Sequence, residues 1–255
     1  MSAAPDRGAG CPWQPFELCQ GVHALFTGRR GGISRAPFAE LNMSGTVGDD
    51  PAAVSGNRQL VAAACGLGPA GMAWMSQVHG CDVSYVPVAS GPCAGPPQAD
   101  AIFTDMPGLA LGVLVADCAP VLLADPAARL VGAAHAGRAG LASGVVPALV
   151  AALAAAGARP GRMHAIIGPV ICGACYEVPA ELRAMVAGVV PEAGCITRAG
   201  TAGIDIRSGI EAQLASAGIR AISVDPRCTA ETPDLYSYRR DGRTGRFAGL
   251  IWLAS

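Results

Sequence analysis

The sequence predicts a single α/β domain with a mixed β-sheet core and flanking helices. Short, almost uniformly apolar runs recur at 101–104, 109–115, 120–123, 130–134 and 165–167, each closed by turn residues. Runs without polar alternation read as strands covered on both faces. Longer segments with helix-start and helix-stop residues accompany them, most clearly 140–156, which ends at Gly157 and is followed by Pro160. No linker or internal repeat divides the 255 residues, a length one α/β domain can reach.

Residues 1–19, rich in proline, glycine and cysteine, read as an N-terminal tail, and 20–255 as the domain. A first strand is expected at 23–26, followed by the glycine-rich turn Gly28-Arg29-Arg30-Gly31-Gly32. Asp49 or Asp50 can cap a helix that begins with Pro51 and runs to about Cys65. A strand over 72–78 should end on His79-Gly80, and 91–98, with three prolines and two glycines, should be a loop. Helices are expected at 179–190 and at 205–217, the second capped by Asp205, with closing strands at 221–224 and 247–253.

Composition narrows the function. The chain is 51% hydrophobic and 15% charged, yet its longest apolar stretches, 109–116 and 144–157, are too short to span a bilayer. With no continuous apolar segment near the N-terminus, a cytoplasmic location is expected. A net charge of −1 gives no general support for the cationic face that binding duplex nucleic acid needs. The one basic cluster, Arg239, Arg240, Arg243 and Arg246, reads either as a solvated turn or as a phosphate- or substrate-facing loop. Ten cysteines in a long chain of this kind are expected to stay reduced, most of them as small buried residues.

Among four histidines, His79 and His135 stand just past apolar runs and beside glycine, where α/β folds expose reactive groups. Asp117 and Cys118 interrupt two strongly apolar strands, and an unpartnered polar group buried there would cost on the order of 2–7 kcal/mol. Two imidazoles and a thiolate make a three-ligand zinc set with a fourth position open, the catalytic arrangement; buried packing residues are the alternative. The spacings of 39 and 17 residues match no short zinc motif. Cys172-Gly-Ala-Cys175 could be redox-active or half of a zinc site, but it lacks a second pair and reads as packing. His23 and His164, in apolar surroundings, read as core residues. Signatures of P-loop NTPases, dinucleotide-binding Rossmann folds, α/β-hydrolases and zincins are absent from the sequence.

Taken together, the motifs resemble the laccase-domain family, also called YfiH-like or polyphenol oxidase. The resemblance runs from about His23 to Trp252 through FTGRRGGIS (26–34), VGDDP (47–51), QVHG (77–80), ADAIFT (99–104), PGLALGVLVADCAPVLL (107–123), AAHAGRAGL (133–141), IGPVICGACYEV (167–178) and YSYRRDGRTGR (236–246). It implies a layered αββα-like fold and a zinc ion on His79, Cys118 and His135, which also act as the catalytic residues. It further implies phosphorolysis of adenosine, inosine, guanosine and methylthioadenosine, with deamination of adenosine, by a monomer or homodimer. Arg29, Arg138 and Arg239 are candidates to hold phosphate, and Asn42, Gln77 and Asp117 to contact substrate. Where many members read HAGWRG, this chain has His135-Ala136-Gly137-Arg138-Ala139-Gly140, so the tryptophan is missing and the arginine stands one place earlier.

Two other chemistries compete. Copper, as in a polyphenol oxidase, suits two histidines and a cysteine, but a multicopper cluster needs several more imidazoles than His23 and His164 can supply. A hydrolase editing peptidoglycan precursors could use the same His/Cys/His site, with Cys118 as nucleophile or a metal activating water.

Overall fold

On the strand Ala119–Asp125 every residue is buried, and successive side chains enter different cores. Val121 and Leu123 join one apolar cluster, Leu122 and Ala124 another. That is the period-two geometry of a strand covered on both faces, where each fully buried leucine contributes about 1.5–3 kcal/mol.

The computed structural model describes residues 13–68, 71–87 and 95–254. In chain order the strands are β1 (Phe16–Cys19), β2 (Val22–Phe26), β3 (Met72–Trp74), β4 (Val83–Tyr85), β5 (Ala101–Thr104), β6 (Ala110–Val115), β7 (Ala119–Asp125), β8 (Leu130–Ala136), β9 (His164–Ile167), β10 (Gly194–Ile196), β11 (Ala202–Ile204), β12 (Ala221–Val224) and β13 (Phe247–Leu253). The helices are α1 (Pro51–Ala64), α2 (Arg138–Ser143), α3 (Val145–Ala155), α4 (Ala180–Val189), α5 (Ile206–Ser216) and the short α6 (Tyr238–Asp241). One sheet has the order β1-β2-β13-β6-β3, the other β12-β9-β7-β8-β5-β4, and β10-β11 is a separate ribbon.

The two sheets share a core of Val22, Phe26, Leu111, Val113, Phe247 and Ile251 from the first and Ile102, Leu122 and Val131 from the second. The outer face of the second sheet packs Val121, Leu123 and Ile167 against Leu141, Leu149, Val186 and Ile210 of α2 to α5. The outer face of the first packs Leu25, Ala110 and Leu250 against Val61 of α1. The layers are helix, sheet, sheet, helix, the αββα order the resemblance implied.

Most expected elements stand within two residues of their positions. Asp50 caps α1 by accepting the Ala52 N–H, with Pro51 in the first turn, and Asp205 caps α5 by accepting the Ser208 N–H. Each cap contributes about 1 kcal/mol. Four expectations need correction. The helix expected over 140–156 is two helices, because Gly144 takes φ 81° between α2 and α3. Such a left-handed residue ends a helix, and Pro147 falls in the first turn of the next, where no N–H is needed.

The strand expected over 72–78 stops at Trp74, since Ser76 leaves the sheet to bridge Gln98 and Gln77 turns to the Leu114 backbone. Phe16–Cys19, expected as tail, pairs antiparallel with β2, and Trp13 is buried with its indole N–H on the Arg30 carbonyl. The arginine-rich segment holds the helix α6, with Ser237 accepting the Arg240 N–H. Residues 1–12 of the expected tail and 91–94 of the expected 91–98 loop lie outside the described residues. No described helix is long and apolar enough to cross a membrane.

The topology gathers three chain segments at one end of the sheet pair. Because β7 and β8 are antiparallel with Pro120 opposite His135, the residue before β7, Cys118, meets the end of β8. The segment leaving β3 brings His79 to the same place.

Candidate metal centre

Asp100 builds this end of the molecule. It is fully buried, immediately before β5, and its carboxylate accepts the backbone N–H groups of Val78, His79 and Gly80 at 3.1, 2.9 and 2.6 Å. These bonds fix the turn in which His79 adopts φ 62°, a left-handed conformation that costs a non-glycine residue about 1–3 kcal/mol. The same carboxylate lies 2.8 Å from Nδ1 of His135, which assigns the proton to Nδ1 and leaves Nε2 to face the cluster. Burial alone would raise the Asp100 pKa, but His135 and the Gly80 and Val78 N–H groups hold it down at about 2.

His79, Cys118 and His135 each offer one ligand atom within 4.8 Å of the others. The imidazole rings meet edge to face, with centroids 4.7 Å apart. Burial would push the Cys118 thiol up, yet the facing His135 and His79 imidazoles bring it down to about 6. Burial would lower the His135 pKa, but Cys118 and Asp100 raise it to about 9. Two nitrogens and a thiolate on one point, with a carboxylate fixing the tautomer of one ligand, fit a zinc-class cation. Gly137, two residues after His135, leaves room for them: a Cβ there would stand 2.8 Å from the Cys118 sulfur and 3.3 Å from the His79 ring.

The centre opens into a pocket of about 1150 Å³. Its walls include Gln77, Asp117, Arg138, Tyr176, Tyr238 and Arg239, together with Ser44, Thr46, Arg243 and Arg246. Gln77 is held in place by bonds from its side-chain N–H to the Leu114 carbonyl and from the Leu114 N–H to its carbonyl. Asp117, at φ 89°, is committed on both oxygens, accepting the Thr229 hydroxyl and the Arg239 N–H at 2.6 Å each. It shapes the wall, and its charge is matched by hydrogen bonds.

Arg138 opens α2 on the pocket wall, and among the described residues its guanidinium has no ion-pair partner. Arg239 lies over the Tyr176 ring at 5.2 Å and donates to the Glu177 carbonyl. Arg246 bonds the Thr244 and Gly245 carbonyls, and burial lowers its pKa. Arg240 of the same cluster turns away, pairing with Asp241 and donating to the Thr229, Thr232 and Leu235 carbonyls.

Two expected substrate residues lie outside the pocket wall. Arg29 stacks on Tyr236 at 5.0 Å, donates to the Ala39 carbonyl and pairs with Asp241. Asn42 is buried behind the wall, donating to the Ser44 carbonyl and Asp49 and accepting the Arg246 N–H. Gln77, Asp117, Arg138 and Arg239 do line it. Sequence reasoning missed Asp100, which stands after a loop and not between two apolar strands as Asp117 does, whereas Arg239, Arg243 and Arg246 line the pocket in keeping with the substrate-facing reading of the basic cluster. His23 packs against Trp252 with ring centroids 5.5 Å apart, and His164 sits in β9 beside β12. Neither joins the centre, so no multicopper cluster can be assembled from this chain's histidines.

The layered fold and the triad at the shared end of its sheets define a laccase-like domain of the YfiH type. The family model described as multi-copper polyphenol oxidoreductase laccase matches residues 23–254, and the chain belongs to that family. It is 54% identical to a purine nucleoside phosphorylase of Streptomyces griseus over 91% of this chain and 94% of that protein. It is 52% identical to one of Streptomyces coelicolor, over 93% and 98%. Among solved structures, YlmD from Geobacillus stearothermophilus superposes with a TM-score of 0.90 at 31% identity, covering 98% of both chains. The Bacillus licheniformis protein YfiH superposes at 0.85 and 32%, covering 91% of this chain and 92% of that one.

Proposed function

We propose that this chain is a zinc-dependent purine nucleoside phosphorylase that takes adenosine, inosine, guanosine and methylthioadenosine, and that also deaminates adenosine. The observation that carries the reading is the junction of a His/Cys/His centre with a pocket lined by Arg138, Arg239, Arg243 and Arg246. The names of the relatives from the two Streptomyces species support the same reaction class.

His79, Cys118 and His135 would hold the metal, which supplies a Lewis acid with one open coordination position. Asp100 keeps the proton on Nδ1 of His135 and so orients its other nitrogen. The arginines bind inorganic phosphate and hold it against the ribose, so that a phosphate oxygen forms a bond to the anomeric carbon as the bond to the purine breaks. The departing base takes up a proton, giving free purine and ribose 1-phosphate. Tyr176 and Tyr238 offer aromatic faces for the purine in a site that lacks the family's tryptophan. Arg138, standing where that tryptophan would be, adds a cation to the phosphate end.

Chromatography of products from adenosine, with and without phosphate, tests the assignment. Adenine released only with phosphate supports phosphorolysis, and inosine formed without phosphate supports deamination. No product from protein with zinc at the centre would refute both and shift the assignment to hydrolysis of an amide, the precursor-editing chemistry.

A further inference from the structure

The sequence motif Cys172-Gly-Ala-Cys175 lacks a second pair in the chain's linear order, but the fold supplies one. The parallel bridge between Val170 and Cys228 brings a second turn, Cys228-Thr-Ala-Glu231, against the first. The two turns have the same form. The Cys175 and Tyr176 N–H groups donate to the Cys172 carbonyl at 2.9 and 3.0 Å. The Glu231 and Thr232 N–H groups donate to the Cys228 carbonyl at 3.2 and 2.9 Å. Three sulfurs and a carboxylate oxygen thereby lie within 4.8 Å of one another.

We propose that Cys172, Cys175, Cys228 and Glu231 form a second, closed site for a zinc-class divalent cation, separate from the His/Cys/His centre. Three thiolates and one carboxylate complete a tetrahedral set with no open position, the arrangement of a structural site. Tetrahedral zinc with bonds of about 2.3 Å needs sulfurs about 3.8 Å apart, so the cluster has to close by about 1 Å at most, within the reach of side-chain rotation. The surroundings already suit thiolate ligands. The Cys172 N–H donates to the Cys228 sulfur at 3.3 Å, and Arg198 pairs with Glu231 at 2.6 Å, offsetting the negative charge of the set. Cys228 is buried, Cys172 and Cys175 are half-buried and Glu231 is exposed, so the sulfur side of the site is shielded and the carboxylate side faces solvent.

The site would pin the wall of the pocket. Ile171 and Tyr176, which flank the first turn, line the pocket, and Thr229 in the second turn donates its hydroxyl to Asp117. A cation joining the turns would hold these wall residues in register while making no contact with substrate.

The test is metal content after reduction, zinc loading and gel filtration, followed by cobalt substitution. The expected contents are two equivalents in the wild type, one in Cys118→Ala and one in Cys175→Ser. Cobalt-loaded Cys118→Ala should keep a strong near-ultraviolet thiolate-to-cobalt band, because its remaining cation sits on three sulfurs. A reduced wild type whose bound metal is unchanged in a folded Cys175→Ser, or a folded Cys118→Ala that holds none and shows no such band, would overturn the second site. Both readouts are independent of nucleoside turnover, so failure of the proposed reaction leaves this result standing.

Discussion

Asp100 Oδ1 lies 2.8 Å from Nδ1 of His135, and the carboxylate that makes this contact also accepts the N–H groups of Val78, His79 and Gly80. One buried side chain therefore folds the turn carrying His79 and orients the ring of His135, two of the three proposed ligands. Asp100→Asn replaces an acceptor oxygen with a donor that faces donors. Metal affinity at the centre should fall about 10–100-fold, the usual effect of removing a ligand's orienting partner. Competition with a chelator measures it, and unchanged affinity would remove Asp100 from the centre's design.

Gly137 is the gap into which the Cys118 and His79 side chains fit. Gly137→Ala places a Cβ 2.8 Å from the Cys118 sulfur, closer than packed atoms tolerate. Cys118 has to turn away from His79 and His135 to make room, so the variant should lose affinity for metal, read by the same competition. A variant with wild-type affinity would show that the cluster has slack.

Arg138 is expected to act on phosphate. Arg138→Ala should raise KM for phosphate about tenfold or more, the loss of one charge-assisted contact of about 1.5–3 kcal/mol, and leave adenosine deamination unchanged. Steady-state kinetics in varied phosphate check both halves, and an equal loss in the two reactions would place Arg138 on the nucleoside instead.

The second sheet contains a separate acid-sensitive element. Asp125 ends β7 fully buried, and although burial would raise its pKa, the Arg159 and Ala128 N–H groups and the Arg162 guanidinium hold it below the usual carboxylate value. A carboxyl with a depressed folded pKa stabilises above its unfolded value, near 3.9, and loses that contribution as pH falls through the folded one. Asp125→Asn should cost about 2–3 kcal/mol in urea unfolding at pH 7, narrowing as pH drops below 4. A gap that is constant with pH would contradict the ionic account.

The fold was legible where burial is two-sided and unpolar, as in β5 to β9, because uniformly apolar runs leave few alternatives. It was less legible where a short strand is fixed by its partner: β1 joins the sheet through β2, and β10 and β11 pair with each other, with Gly203 of β11 also bridging Glu177. Gly144 was hidden because a glycine inside an alanine-rich run reads as a tolerated helix residue. The ligand triad stood out by residue type at strand ends. Asp100 did not, since its partners are backbone N–H groups 20 to 22 residues away and His135, 35 residues away. The cluster of three thiols and a carboxylate was invisible for a similar reason, its halves lying 56 residues apart at Cys172 and Cys228.

The central claim is that His79, Cys118 and His135 hold the cation that drives phosphorolysis. It is tested most directly by measuring phosphate-dependent adenine release from adenosine by the wild type and by Cys118→Ala, with metal content determined on the same samples. The account predicts release by the wild type, and no release by a folded Cys118→Ala that has lost the equivalent bound at this centre. Turnover by Cys118→Ala at the wild-type rate, with that equivalent gone, would contradict it.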